Sequence, residues 1–63
     1  MKDKIGRRVR LIYMEGEDPS RMYKGLEGTI DHIDGIGQIH VKWDNGSSLA
    51  LNGDVDDFEI LPE

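Results

Sequence analysis

The run Ile39-His40-Val41-Lys42-Trp43-Asp44-Asn45-Gly46-Ser47-Ser48-Leu49-Ala50-Leu51 constrains this chain more than any other stretch. Ile39, Val41 and Trp43 alternate with polar neighbours, and this period of two is the mark of a strand buried on one face. Asn45-Gly46 follows, the pair that most readily supplies the left-handed backbone of a two-residue hairpin loop. Leu49 and Leu51 then resume the apolar pattern. The expectation is a β-hairpin centred on Asn45-Gly46, with Asp44 as the residue that would join a longer loop. Such a hairpin names no chemistry.

The rest of the chain reads as more short strands. Val9, Leu11 and Tyr13 alternate with Arg8 and Arg10 and predict a first strand facing inward through its apolar side chains. Residues 15–24 have no sustained period and include Gly16 and Pro19, so they predict a long surface loop with a turn at Asp18-Pro19. Gly28-Thr29-Ile30 opens a second strand reaching Ile33. Ile30 and Ile33 are three apart, so both can face a core only across a β-bulge. Asp34 to Gly37 forms the next turn. Asn52-Gly53-Asp54 marks another reversal, Val55-Asp56-Asp57 predicts one short helical turn, and Phe58-Glu59-Ile60-Leu61 a last strand ended by Pro62. Five short strands with glycine-rich connections predict an all-β, antiparallel, closed or nearly closed small barrel.

Length limits what such a chain can do. Sixty-three residues make one domain, read here as residues 6–61 between a solvated end at 1–5 and a short tail at 62–63. The candidate core is Val9, Leu11, Leu26, Ile30, Ile33, Ile39, Val41, Trp43, Leu49, Leu51, Val55, Phe58 and Ile60. It suits a small barrel or a domain helped by self-association, and it leaves no room for a large catalytic cavity. No cysteine is present, so disulfides and thiolate metal sites are excluded. The charged first residues do not read as a signal peptide and no run approaches the ~20 apolar residues of a membrane span. A cytoplasmic setting without membrane contact is the expectation.

Charge is distributed unevenly. The net charge is -5, yet residues 1–30 carry +2 and residues 31–63 carry -7.

Taken together, Arg8-Val9-Arg10-Leu11, Asp18-Pro19, Gly25-x-x-Gly28-Thr29-Ile30, Gly37-x-Ile39-His40-Val41-x-Trp43-Asp44-Asn45-Gly46-Ser47-Ser48-Leu49 and Gly53-x-Asp-x-x-Phe58 resemble a bacterial and phage domain-of-unknown-function family, number forty-three-fourteen. The resemblance spans about residues 6–61. It implies a short cytoplasmic protein of Gram-positive bacteria, their phages or mobile elements, and the order of elements resembles an SH3-like barrel. It brings no activity, cofactor or catalytic residues. The family often has a proline-rich approach to Gly25, where this chain has Arg21-Met22-Tyr23-Lys24, so the long loop transfers least.

Several side chains could carry chemistry. If Ile33 faces Ile39, His32 falls opposite His40, within reach of a shared metal ion. A third ligand is lacking, and two exposed histidines on a solvated sheet is the simpler reading. Ser47 and Ser48 follow a tight turn, where small polar residues belong without any nucleophilic role. Asp54, Asp56, Asp57 and Glu59 lack the order of a calcium loop and read as a solvated acidic edge. No phosphate-binding glycine loop is present. No enzyme activity, metal or cofactor is therefore expected. Protein recognition by the long loop and its aromatic neighbours is favoured, with Tyr13, Met22, Tyr23 and Trp43 as the candidate surface. A homodimer formed through exposed strand edges would add buried area. The alternative is nucleic-acid binding through Arg8, Arg10, Arg21 and Lys42, opposed by the acidic second half.

Overall fold

The computed structural model describes residues 2–62 of the chain. Five strands, β1 (Arg8–Tyr13), β2 (Glu27–Ile33), β3 (Ile39–Trp43), β4 (Ala50–Leu51) and β5 (Asp57–Ile60), form one antiparallel sheet in the order β4-β3-β2-β1-β5. The expected SH3-like barrel is not formed. β4 and β5 stand at opposite edges of an open sheet. They hold two and four residues, and neither pairs with the other to close the sheet. The short helical turn expected at 55–57 is also absent. Val55 and Asp56 both donate backbone N–H groups to Asn52 O, at 3.2 and 2.8 Å, in a turn that hands directly to β5. At the other end Lys2–Lys4 make a short 3-10 turn, and Gly6 N donates to Ile30 O at 2.8 Å. No helix among the described residues is long and apolar enough to cross a membrane.

An open sheet with one apolar face must have that face covered. Val9 and Leu11, Ile30, Ile39, Val41, Trp43 and Leu51 line it, and Met14, Met22 and Leu26 from the connection between β1 and β2 close over them. Met22 is 4% exposed, so the long loop supplies core. Leu49 and Val55 lie exposed instead of joining the core as expected.

Two bulges set which side chains share a face. Ile30 pairs with Val41 and His32 with His40, so Asp31 is the extra residue and Ile33 returns to the core beside Ile39. The bulge required by the Ile30/Ile33 spacing is present. A second irregularity, unanticipated, lies between Leu11 and Tyr13, where Leu11 pairs with Phe58 and Tyr13 with Asp57. Ile12 takes the extra place and Tyr13 turns outward, which decides between the inward place that alternation allows it and its place on the candidate surface.

The hairpin at Asn45-Gly46 exists with a different loop. Gly46 has φ +89° and no non-glycine described residue has positive φ. Asn45 is therefore not left-handed. Gly46 N donates to Trp43 O and Trp43 N to Ser47 O, both at 3.0 Å. Asp44-Asn45-Gly46 thus form a three-residue loop, a right-handed turn relaxed by one left-handed glycine. Asp44 enters the loop because Arg8 holds its carboxylate from the adjacent face.

Candidate functional site

The connection from β1 to β2 is ordered by its own backbone. Asp18 O accepts from Arg21 N at 3.0 Å and Met22 N at 2.8 Å, while Asp18 Oδ1 accepts from Ser20 N at 2.9 Å. Pro19 occupies the first central position of this turn, where its fixed φ fits. Met22 is thereby driven inward. Asn45 Nδ2 donates to Arg21 O at 2.7 Å, fastening the connection to the β3–β4 hairpin. Nothing in the Asn-Gly pair announces this second task across 24 positions of sequence.

Between the fastened segments lies a cleft of about 340 Å³ lined by Glu17, Asp18, Arg21, Met22, Ser47 and Leu49. That is the low end of the range for ligand-sized clefts, about 300–1,000 Å³. Met22 and Leu49 give it an apolar floor, and charged groups from the connection form its rim. Ser47 is buried, its N–H donating to Asn45 Oδ1 at 3.0 Å, which accounts for it as a turn residue.

Of the four residues expected on a protein-binding surface, two are exposed. Tyr13 is 55% and Tyr23 46% exposed, while Met22 and Trp43 are buried beneath the cleft side of the molecule. The indole Nε1 donates to Leu49 O at 2.9 Å, drawing the 47–49 segment away from regular pairing. Trp43 positions this wall of the cleft and presents almost no surface of its own.

The cations expected to meet phosphate are distributed differently. On the outer face, Glu59, Arg10, Glu27, Arg8 and Asp44 alternate in one ladder across β5, β1, β2 and the hairpin. Arg10 reaches Glu59 at 2.8 Å and Glu27 at 3.4 Å, and Arg8 grips Asp44 at 2.5 and 3.0 Å while lying 3.5 Å from Glu27. Lys42 lies 3.9 Å from Asp31. By contrast, Arg21 has no ion-pair partner among the described residues. Register explains the ladder: Arg10 faces Glu27 on one side and Glu59 on the other.

The ladder and its neighbours make stability pH-dependent. Hydrogen bonding from Arg8 holds the Asp44 carboxyl below its usual value of 3.8. Asp34 is held down likewise, first by His40 and then by the Gln38 and Ile36 N–H groups. A carboxyl whose folded value is depressed stabilises fully above its unfolded value and loses that contribution as pH falls through the folded one. The urea midpoint is therefore expected to hold from neutrality to about pH 5 and to fall below about pH 4. In Arg8→Ala the acid-induced drop should be smaller. An acid-insensitive midpoint would refute the assignment.

His32 and His40 stand opposite one another as the register requires. Their rings are stacked, with centroids 4.1 Å apart and planes inclined by 6°. Stacked rings direct their nitrogens along parallel planes, so the pair does not converge on one ion. No group of three or more metal-ligating side chains occurs among the described residues. Nor is the acidic edge wholly solvated: Asp56 is buried, its carboxylate accepting from Glu15 N at 2.9 Å and Asn52 N at 2.8 Å, and it staples the start of the connection to the 52–56 turn.

These features define a small open-sheet β protein whose long first connection both completes the core and walls a surface cleft. A family model described as Domain of unknown function (DUF4314) matches residues 2–61, and the chain belongs to that family. No curated protein and no solved structure matches it.

Proposed function

We propose that this protein is a non-enzymatic binding module that receives a segment of a partner protein in the cleft between the 15–24 connection and the 46–49 segment, in the cytoplasm. The observation that carries this reading is the contrast between the two faces. On the outer face Arg8 and Arg10 are bonded to carboxylates of the same molecule. At the cleft, Arg21 makes no ion pair within 4 Å among the described residues, and only the looser attraction of the neighbouring Asp18 acts on it, above an apolar floor of Met22 and Leu49. An apolar floor with a charged rim is the arrangement that anchors one or two side chains of a peptide and fixes their orientation. Exposed Tyr23, on the same connection, extends the surface.

The outer-face ladder weighs against phosphate binding by Arg8 and Arg10, because each would first have to give up its carboxylates. With a net charge of -5, the remaining surface would oppose a polyanion.

The test compares wild-type protein with an Arg21→Ala/Leu49→Ser double variant and with Lys42→Ala on the far face as control. Proteins retained from a host extract should be lost by the double variant and kept by the control. Equal retention by all three would overturn the reading. Salt-sensitive binding of short DNA, reduced in Arg8→Ala/Arg10→Ala, would replace it with the nucleic-acid alternative.

A further inference from the structure

We propose that Asn52 is a site of spontaneous covalent modification in the folded protein, and that the fold shields Asn45 from the same reaction. Each is followed by glycine, as Asn45-Gly46 and Asn52-Gly53, and each pair lies in a turn region. Asparagine before glycine is open to this chemistry because no Cβ hinders the glycine's backbone nitrogen. The glycine amide gives its proton to base, and its nitrogen attacks the asparagine Cγ. A C–N bond forms, the Cγ–Nδ2 bond breaks, and the side-chain nitrogen leaves as ammonia. Water, the co-reactant, then opens the resulting succinimide at either carbonyl and leaves an aspartate or an isoaspartate.

The two sites differ in how the reacting atoms are held. At Asn45 all of them are engaged. Gly46 N donates to Trp43 O at 3.0 Å, Asn45 Nδ2 donates to Arg21 O at 2.7 Å, and Asn45 Oδ1 accepts from Ser47 N at 3.0 Å. Attack there must break the bond that closes the loop and expel a nitrogen fastened to Arg21. At Asn52 neither the attacking nor the leaving nitrogen is held: Gly53 N and Asn52 Nδ2 make no hydrogen bond among the described residues. The engaged atom is Asn52 Oδ1, which accepts from Asp54 N at 3.0 Å. That bond assists the attack, because negative charge gathers on Oδ1 as the nitrogen adds to Cγ. Gly53 is exposed, so base and water reach it.

Conversion at position 52 acts on the contact that fixes the start of the long connection. Buried Asp56 accepts from Glu15 N at 2.9 Å and from Asn52 N at 2.8 Å, while Asn52 O accepts from Val55 N and Asp56 N. An isoaspartate routes the main chain through the side chain, adds a methylene and turns the former Asn52 carbonyl into a free carboxylate. Either product adds negative charge beside Asp54 and Asp56. The staple from the 52–56 turn to Glu15 is thereby loosened, and with it the connection that walls the cleft. The assignment is independent of what the cleft receives.

The test incubates folded wild-type protein in mildly alkaline buffer and follows each site by peptide mapping with mass spectrometry. Exchange of –NH2 for –OH raises the mass of the affected peptide, and fragmentation places the change at position 45 or 52. Asn52 should convert roughly tenfold or more faster than Asn45, the size set by the hydrogen bonds given up at Asn45. In urea, where neither turn persists, the difference should disappear. Asn52→Gln should remove most of the mass change from the folded protein, because glutamine must close a larger ring that forms more slowly. Converted wild-type protein, separated from the unconverted, should be cut by trypsin after Arg21 several-fold faster, since local opening exposes the connection. Equal conversion at the two sites in the folded protein, or conversion confined to Asn45, would overturn the proposal. So would an Asn52-converted protein cut after Arg21 at the unconverted rate.

Discussion

Trp43→Ala should lower the stability of the whole domain by a large share rather than yield an intact fold with a weakened binding surface. The side chain is 3% exposed and packs in the core cluster with Val9, Leu11 and Val41. Truncating a buried aromatic costs about 3–5 kcal/mol through lost transfer energy and the cavity left behind. The indole bond to Leu49 O is lost as well. A domain of this size has a total stability of roughly 3–9 kcal/mol, so the loss takes at least about a third of it. Urea titration followed by circular dichroism gives the measurement. A midpoint within error of wild type would show that Trp43 is not part of the core. The prediction matters for function because a loss of partner binding in this variant would report unfolding. Arg21 and Leu49 are the proper probes of the cleft.

Gly28→Ala should be the most damaging single-methyl addition in the molecule. Gly28, the second residue of β2, lies between two paired strands, opposite Trp43 on one side and Val9 on the other. A Cβ placed there would approach Val41 Cγ1 to 2.6 Å, Lys42 O to 2.7 Å and Trp43 Cα to 3.0 Å. The valine methyl can rotate away, but the carbonyl and Cα belong to the neighbouring strand and move only with the ladder. Overpacking of this kind costs about 1–3 kcal/mol, with the upper part of the range expected here. Gly35→Ala serves as the control, since a Cβ there meets nothing within 4 Å. Comparable midpoints for the two variants would refute the close approach. The requirement at Gly28 is one of space, whereas Gly46 is needed for its left-handed backbone.

The two substitutions show how unevenly the chain's features were legible. Strand positions followed from period two, and the Ile30/Ile33 spacing disclosed the bulge at Asp31, because a core face must be continuous. The bulge at Ile12 left no such trace: Tyr13 fits the alternating pattern, and only the pairing with Asp57 turns it outward. The opposition of His32 and His40 followed from Ile33 facing Ile39. Their stacking and their separate carboxylates did not, since these depend on where the Asp31 bulge and the Asp34 turn place each ring.

The cleft was least legible. For Met22 and Tyr23 the sequence leaves open both a binding surface and a cover folded over the core, yet one is core and the other surface. The division is made by the Asp18 turn together with the Asn45 anchor, and the anchor is a contact between residues 24 positions apart. Charge was similarly ambiguous. The basic character of Arg8 and Arg10 is evident in sequence, but their neutralisation by Glu27, Glu59 and Asp44 requires the register of three strands.

By itself, the sequence determined that this protein is built from short antiparallel strands with a tight β3–β4 hairpin, because side-chain alternation and glycine-rich turns act over a few residues. The tertiary structure decided that the sheet stays open, that the first connection covers it, and which charges remain available to a partner. Those outcomes depend on strand length, register and contacts between distant segments, and no local pattern encodes them.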